Sequence, residues 1–568
     1  MAQGEIEAHR LAAQSALSEE SSEPPSPLTP YTAGTKVNLV VGTWNLGDLA
    51  AGGDLTAWLR PGADLYAVGC QESGLNPLSA LSPLNPAFSG NGREHWFSLI
   101  ESTVRAGSEP DAWCRVGTAS LGNIHVIVLC TRALLPEVSS VETASEAMGV
   151  GGLFPNKGLT AVSLRLGSTP LCFVNGHLAA HEGMAAKRNA NLHDMERAVR
   201  LGCASPHASL FDLSQRFAHC FLFGDLNYRI DLPRETTLRL VQQGNWAELR
   251  AHDELTRLMA RGAVCSGFAE GALAFPPTFK HNPGEPPLTE AGAAAAAAAD
   301  ASSAGGSVGP GRRAYECTKQ RVPSWCDRVL WRSWPARARE VELLSYGSTP
   351  QLASSDHSPV AATFALDLRR PLPPAAAHAC VALSLSALRL TLGEPEGTGT
   401  SREEHQHQHQ HQHQHQHQHV YVEVFDDFGS HTPVTSAPQP RGTEVSWGAE
   451  QLRVALPRAE GSRARVEASQ LFIAVRTVEV GGVLHSSGRQ RLSLGGGVLP
   501  CAGSTSHRGR DFELPLSRHG AVVGSLRCQL RVEYDGDAVV GGCGRWVRRL
   551  LSCCTGCDRQ VESAHELH

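Results

Sequence analysis

The sequence predicts an α/β domain followed by an all-β sandwich. Two observations carry this. Up to about residue 367, short apolar runs recur, several end in polar residues, and stretches of helical character lie between them. Beyond residues 368–377, which are rich in Pro and Ala, apolar and polar residues alternate. A continuous apolar run suits a strand buried on both faces, and strict alternation suits one with a wet face.

The bulk properties bound the function. The 568 residues allow about two to four domains, and an apolar content of 41% supports a substantial core. The net charge of −6 excludes the global basic field of a nucleic-acid binder. The segment Met1–Glu5 has neither a basic region nor an apolar one, so no signal peptide is expected. No run approaches the ~18 apolar residues of a membrane-spanning helix. The 16 cysteines are mostly single and lie in strand-like stretches, as at Cys70, Cys130 and Cys172. That usage suits reduced thiols in a cytoplasmic protein.

Residues 1–34 are polar and then Pro/Ser-rich, a disordered leader. Val37–Asn45 and Asp64–Glu72 read as buried strands that present Asn45 and Glu72 at their ends. Two more strands are expected at Ile124–Leu129 and Leu159–Leu166. The loop between them, Gly149–Gly158, carries Asn156 and Lys157. It lacks the spacing of a P-loop or a dinucleotide loop, but its backbone N–H groups suit an anion. Leu171–His177 is another strand with a polar end, followed by His181. His177 and His181 have the spacing of a zinc-binding helix. However, Leu178 stands where a metalloprotease needs Glu, and His177 sits at a strand end. A helix is expected over Gly183–Val199, with Lys187, Arg188 and Asn189 in its middle.

The run Phe221–Arg229 follows. In a strand, Asp225 and Asn227 would face the same side, with Leu226 buried behind them. A carboxylate beside an amide suits the handling of a water and a phosphate oxygen near a metal ion. Helix is expected from there to about Arg261. Phe275–Lys280 is a rigid Pro-Pro segment that presents Lys280. Residues 284–312 include seven consecutive alanines and read as a disordered insert. Order resumes with Tyr315, Lys319 and Arg321, then Pro323–Trp331, which contains Asp327. Ser354–Val360, with Asp356 and His357, prepares the last strand.

Residues 378–535 show the period of two, most clearly from Ser525 to Tyr534, and several such strands with Gly/Pro/Ser turns argue a β-sandwich. The His-Gln repeat at 405–419 reads as a low-complexity loop expansion. The tail, 536–568, combines Arg545, Trp546, Arg548 and Arg549 with Cys553, Cys554 and Cys557. This suits a membrane-surface segment with acylation, and the chain has no C-a-a-X end.

Taken together, the motifs GTWN (42–45), QE (71–72), NKG (156–158), NGHLAAH (175–181), FGDLNYRID (223–231), FPPTFK (275–280), RVPSWCDRVLW (321–331) and SSDHSPV (354–360) resemble those of the magnesium-dependent inositol polyphosphate 5-phosphatases. That family lies in the wider endonuclease/exonuclease/phosphatase superfamily. The motifs occur in the family's order across about residues 36–367. The resemblance implies a catalytic domain over 35–367 with a four-layer α/β sandwich: two mixed sheets face to face, helices outside, and the site at the strand ends. Residues 378–535 resemble a C2 domain, chiefly at Pro515–Tyr534.

The resemblance also implies roles. Glu72 would ligate Mg²⁺, and Asn45 and Asp356 would support metal and phosphate. Asp225 would orient and deprotonate the attacking water, with Asn227 beside it. His177 and His357 would hydrogen-bond the scissile phosphate, and Asp327 would fix the tautomer of His357. Lys157, within NKG beside Asn156, matches a position for the 1-phosphate. Lys280, Lys319 and Arg321 match or neighbour those for the 4-phosphate, helped by Lys187 or Arg188, and His181 belongs to the same substrate-binding set. The substrates implied are phosphoinositide lipids or inositol polyphosphates, met at a membrane surface by a peripheral cytoplasmic enzyme without a nucleic-acid partner. Two departures stand out: Phe279 replaces the family's tyrosine, and Tyr315–Arg321 is one residue short. The alternatives are a nuclease or phosphodiesterase on the same scaffold, or a non-catalytic C2-type membrane adaptor. A degenerate site would have marked the adaptor, and a basic groove the nuclease.

Overall fold

The computed structural model describes residues 34–74, 92–109, 111–148, 156–202, 208–291, 311–369, 380–393, 418–426, 433–448, 451–455, 470–479, 492–501 and 509–534. The leader up to residue 33, most of the insert, residues 405–417 of the His-Gln repeat and the cysteine-bearing tail lie outside them.

Strands β1 (Lys36–Asn45), β2 (Leu65–Gln71), β3 (Trp113–Leu121) and β4 (Ile124–Thr131) belong to a first sheet. The next six, β5 (Val138–Ala147), β6 (Gly158–Leu166), β7 (Thr169–His177), β8 (His219–Asp225), β9 (Phe268–Glu270) and β10 (Asp327–Ser333), form a second. β11 (Val341–Ser348) and β12 (Val360–Asp367) return to the first, giving the orders β11-β12-β1-β2-β4-β3 and β5-β6-β7-β8-β10-β9. Both sheets are mixed, because β1 runs parallel to β2 and β7 parallel to β8 while their other neighbours are antiparallel.

The continuous apolar runs are explained by burial on both faces. Leu39, Val41, Leu65, Val126 and Val128 of the first sheet meet Val162, Phe173, Phe221 and Phe223 of the second in one core. On the outer face of the first sheet, Trp44, Tyr66 and Val68 pack under α1 (Gly92–Val104) through Trp96, Phe97 and Ile100. On the outer face of the second, Cys172, Val174 and Leu222 pack under α2 (Ala185–Ala198) through Leu192 and Met195. Helix, sheet, sheet and helix make the four layers. Each fully buried large apolar side chain contributes about 1.5–3 kcal/mol. Cys70, Cys130 and Cys172 are buried free thiols within this framework.

One expectation changes, and two features add to the sequence reading. The stretch after Asp225 is not one helix. Residues 226–233 are largely irregular, and α3 (Arg234–Gln243), α4 (Trp246–Ala251) and α5 (Glu254–Ala260) follow, separated by Gly244 in the left-handed region and by the caps Asn245 and Asp253. Helix α1 lies in a stretch whose mixed polarity gave no sequence signal. The insert is tied down at both ends: Leu288 N donates to Arg312 O (2.9 Å) and Gly311 N to Leu288 O (2.8 Å).

The C-terminal part is an antiparallel sheet of ten strands, β13 (Cys380–Leu392), β14 (Gln418–Asp426), β15 (Val434–Thr435), β16 (Gln439–Pro440), β17 (Glu444–Ser446), β18 (Leu452–Ala455), β19 (Gln470–Glu479), β20 (Leu492–Pro500), β21 (Arg510–Arg518) and β22 (Ala521–Tyr534). Its alternating residues Leu526, Cys528, Leu530 and Val532 face a separate core. It docks on the first part through the β21–β22 turn. There the Asp212 carboxylate accepts from Ser517 Oγ (2.8 Å), His519 N (2.6 Å) and Gly520 N (2.9 Å). Phe211 packs edge-on against Phe425 and Phe472.

Candidate active site

Strand register builds the site. In the second sheet His177 pairs with Asp225 across the parallel β7–β8 ladder, and Asp225 with Asp327 across the antiparallel β8–β10 ladder. Three polar side chains therefore stand in one row at the strand ends, all buried. Gly224, with φ of 136°, allows this approach: a Cβ there would lie 2.1 Å from Gly176 O. In the first sheet β1 ends at Asn45, paired with Gln71, and Glu72 follows with φ of 50°. Beneath the site, Gln71 Nε2 donates to Asn175 Oδ1 (2.6 Å) and Asn175 Nδ2 to His125 O (2.9 Å), binding the two sheets together.

Asp225 is where the sheets meet. Its Oδ2 accepts from Asn45 Nδ2 (2.9 Å) and from Asn227 Nδ2 (3.0 Å), and its Oδ1 from Asn227 N (3.0 Å). His177 Nε2 lies 3.4 Å from Oδ2. The pair Asp225–Asn227 does not converge by strand alternation. β8 ends at Asp225 and Asn227 has φ of 57°, so a turn closed by the aspartate's own side chain folds the amide back. Leu226 is buried behind them as expected. Burial works against ionised Asp225, but the hydrogen bond from His177 and the charges of His357, His177 and Lys157 hold its carboxyl well below the usual range.

Opposite stands a second pair. His357 Nδ1 lies 2.8 Å from Asp327 Oδ2, which also accepts from Thr278 Oγ1 (2.6 Å). Burial alone would discharge His357, but the charge and hydrogen bond of Asp327, with Asp225 and Asp356 beyond, push it up to about 9. Burial and the nearby Lys157 instead lower His177. The site thus offers an ionised carboxylate, an imidazole held below its usual value and a charged imidazole within one cluster. The ligand-capable atoms of Asp225, Asp327 and His357 lie within 4.8 Å of one another.

A hard cation fits the oxygen-rich side of this cluster. Glu72 Oε1 is 3.4 Å from His177 Nε2 and 3.8 Å from Lys157 Nζ. Asp356 forms an ion pair with Lys280. Asp48, which the sequence argument passed over, feels the charges of both Glu72 and Asp356. Burial first, then those charges, raise its carboxyl. Asp48, Glu72 and Asp356 thus act on one another through their charges, whereas the ligand atoms gathered within 4.8 Å are those of Asp225, Asp327 and His357. His357 has Nδ1 engaged by Asp327, so the oxygen groups are the natural metal donors.

The remaining expected residues separate. Lys157 contacts His177, so it reaches the cluster, and Asn156 beside it is exposed. Lys280 reaches it through Asp356. Lys187, His181 and Lys319 are exposed, and Arg321 is half-buried. Arg188 is a correction. It is fully buried, donating to Ala179 O (3.2 Å), His181 O (2.8 Å) and Glu254 Oε2 (2.6 Å), so it shapes the loop after β7 and is not a free phosphate ligand. Helical periodicity places Lys187 outside and Arg188 inside, one residue apart. Arg229 was also missed. It donates to Asn227 O (3.0 Å) and Oδ1 (2.5 Å), and it lies 4.8 Å over the Phe279 ring, which also meets the His357 imidazole at 4.5 Å and Lys280 Nζ at 5.3 Å. Arg229 also lines a cavity of about 270 Å³ with Glu182, Asp231, Glu254 and Val322.

The model of the Endonuclease/Exonuclease/phosphatase family 2 matches residues 42–291 and 308–363, which hold every element of this cluster. The chain belongs to that family. Among curated relatives, phosphatidylinositol 3,4,5-trisphosphate 5-phosphatase 2B of Danio rerio is 34% identical over 339 residues, 58% of this chain and 25% of its own length. Phosphatidylinositol 3,4,5-trisphosphate 5-phosphatase 1 of Homo sapiens is 31% identical over 352 residues, 58% of this chain and 26% of its own. The chain thus spans about a quarter of the length of these relatives. Among solved structures, the inositol polyphosphate 5-phosphatase domain of spsynaptojanin, in complex with inositol (1,4)-bisphosphate and calcium ion, is 28% identical. That match covers 58% of this chain and 84% of that one, with a TM-score of 0.45.

Proposed function

We propose that this chain is a phosphoric monoester hydrolase that removes the 5-phosphate of phosphoinositides, phosphatidylinositol 4,5-bisphosphate or 3,4,5-trisphosphate, and of soluble inositol polyphosphates. The observation that carries it is the pairing of a clamped carboxylate, Asp225, with a charged His357–Asp327 pair in a family-2 scaffold. Its curated relatives are named for this chemistry.

Asp225, fixed by Asn45 and Asn227, orients the attacking water and takes its proton. His357, kept charged by Asp327, donates to the phosphate, and His177 supports it from the other side. Mg²⁺, held by Glu72 and Asp356 with Asn45 nearby, would neutralise charge on the phosphate. Lys157, Lys280, Lys319, Arg321 and Lys187 surround a polyanionic substrate, with Asn156 and His181 on the same loops. The enzyme would work in the cytoplasm as a peripheral protein at membranes. Its catalytic domain is 35–367, its C2-like module 378–535, and Cys553, Cys554 and Cys557 are candidates for acylation.

The test is phosphate release from each lipid and from soluble inositol polyphosphates, with and without Mg²⁺. Release that stops with Asp225→Ala and with His357→Ala supports the reading. Cleavage of abasic DNA with no phosphate release from any inositol substrate would replace it with the nuclease alternative.

A further inference from the structure

Arg313 lies just after the insert, outside every motif that pointed to the site, and only 2% of it is exposed. Its guanidinium makes no ion pair among the described residues. Instead, Nη2 donates to Asn282 O (2.9 Å), Ala353 O (3.2 Å) and Ser355 O (2.8 Å). Nη1 donates to His357 O (3.3 Å) and Ser358 Oγ (3.4 Å), and Nε to Glu285 O (3.1 Å). Burial lowers it to about 10, so it stays charged at neutral pH.

The acceptors belong to two loops, 282–285 and 353–358, and the second carries Asp356 and His357. That loop has no strand or helix of its own to satisfy its carbonyls. Trp44 Nε1 shares the His357 carbonyl (3.2 Å), and His281 N takes that of Asp356 (2.8 Å), but Arg313 alone addresses Ala353, Ser355 and His357 together. A planar five-donor fork can do this, whereas an ammonium on a flexible stem cannot span the same acceptors.

We propose that Arg313 is a positioning residue, which sets Asp356 and His357 by holding the carbonyls of Ala353, Ser355 and His357. The consequence for turnover rests on the phosphatase reading, but the consequence for the loop does not. Arg313→Lys and Arg313→Ala should both fold, because neither sheet core includes this side chain. Amides of residues 353–358 should exchange with solvent at least about tenfold faster while core amides keep their protection. Turnover, kcat, should fall about 10²-fold, the scale of a small misplacement, with KM within about threefold. Millimolar guanidinium should restore part of kcat to Arg313→Ala, and ammonium should not.

Unchanged exchange at 353–358 in both variants would overturn the proposal. So would unchanged kcat, or failure of both variants to fold, which would make Arg313 a residue of the whole fold. If the unmodified chain releases no phosphate, the phosphatase reading fails and the exchange measurement alone decides Arg313.

Discussion

His357 Nδ1 and Asp327 Oδ2 lie 2.8 Å apart, both buried, at the end of a row that runs through Asp225 to His177. The carboxylate fixes the tautomer of the ring and overcomes the burial that would otherwise discharge it. Asp327→Asn keeps the shape and removes the charge. It should lower kcat by about 10²–10³, the cost of losing a donor that acts in the transition state. Thr278→Val removes the hydroxyl that donates to Asp327 Oδ2 and accepts from Asp327 N, and should cost about tenfold, less than the Asn variant. Steady-state kinetics on folded variants check the order.

That row was legible because each motif sits at a strand end, and apolar runs mark strand ends well. Asn45, Glu72, His177 and Asp225 follow from this, whereas Asp327 opens β10 and was reached through the family motif that contains it. What was not legible depends on long-range closure. Asn227 reaches Asp225 through a left-handed turn that period-two reasoning cannot see. Arg188 looked like a substrate ligand because charge alone does not reveal which helix face is buried. Asp48 and Arg313 gain their meaning from neighbours far away in the chain, and Arg229 from the left-handed turn at Asn227 together with the distant Phe279.

The oxygen-rich edge makes a metal prediction. Glu72→Gln keeps the size of a half-exposed side chain and removes its charge. The Mg²⁺ concentration for half-maximal activity should rise by about tenfold or more, with little change in stability. EDTA should abolish activity in both proteins, and excess Mg²⁺ should restore it. Isothermal calorimetry gives the Mg²⁺ affinity independently of turnover.

The contact between the two parts of the chain contains a group that should make stability depend on pH. Glu196 on α2 is buried, with Oε2 accepting from Ser214 N (2.8 Å) and Oε1 without a partner among the described residues. Burial, then the charge of Asp212, raise it from 4.5 to about 7. Below 4.5 the folded and unfolded states both hold the proton, and its contribution to stability is full. As pH rises towards 7 the unfolded state loses the proton first, so stability falls, and above 7 the loss is constant. Chemical denaturation at pH 5 and pH 8 should show this decline. Glu196→Gln should flatten it and be more stable at pH 8 by on the order of 2 kcal/mol.

Lys187 and Arg188 are neighbours in sequence with opposite surroundings, and they should separate in experiment. Arg188 holds Glu254 and two carbonyls from a fully buried position, with its guanidinium 5.2 Å over the Tyr228 ring. Arg188→Met leaves the carbonyls of Ala179 and His181 without this donor and Glu254 without its charged partner, with only Arg229 N still donating to its Oε2. Breaking one side of such a pair should cost about 3 kcal/mol or more, read as a lower denaturation midpoint. Lys187 is exposed, so Lys187→Ala should leave the midpoint unchanged and raise KM for the more highly phosphorylated substrates by about tenfold at low salt. The KM effect should shrink as salt is added, because an exposed charge is screened, whereas the Arg188 effect should persist. A salt-sensitive KM change in Arg188→Met at unchanged stability would return that residue to the substrate-binding set.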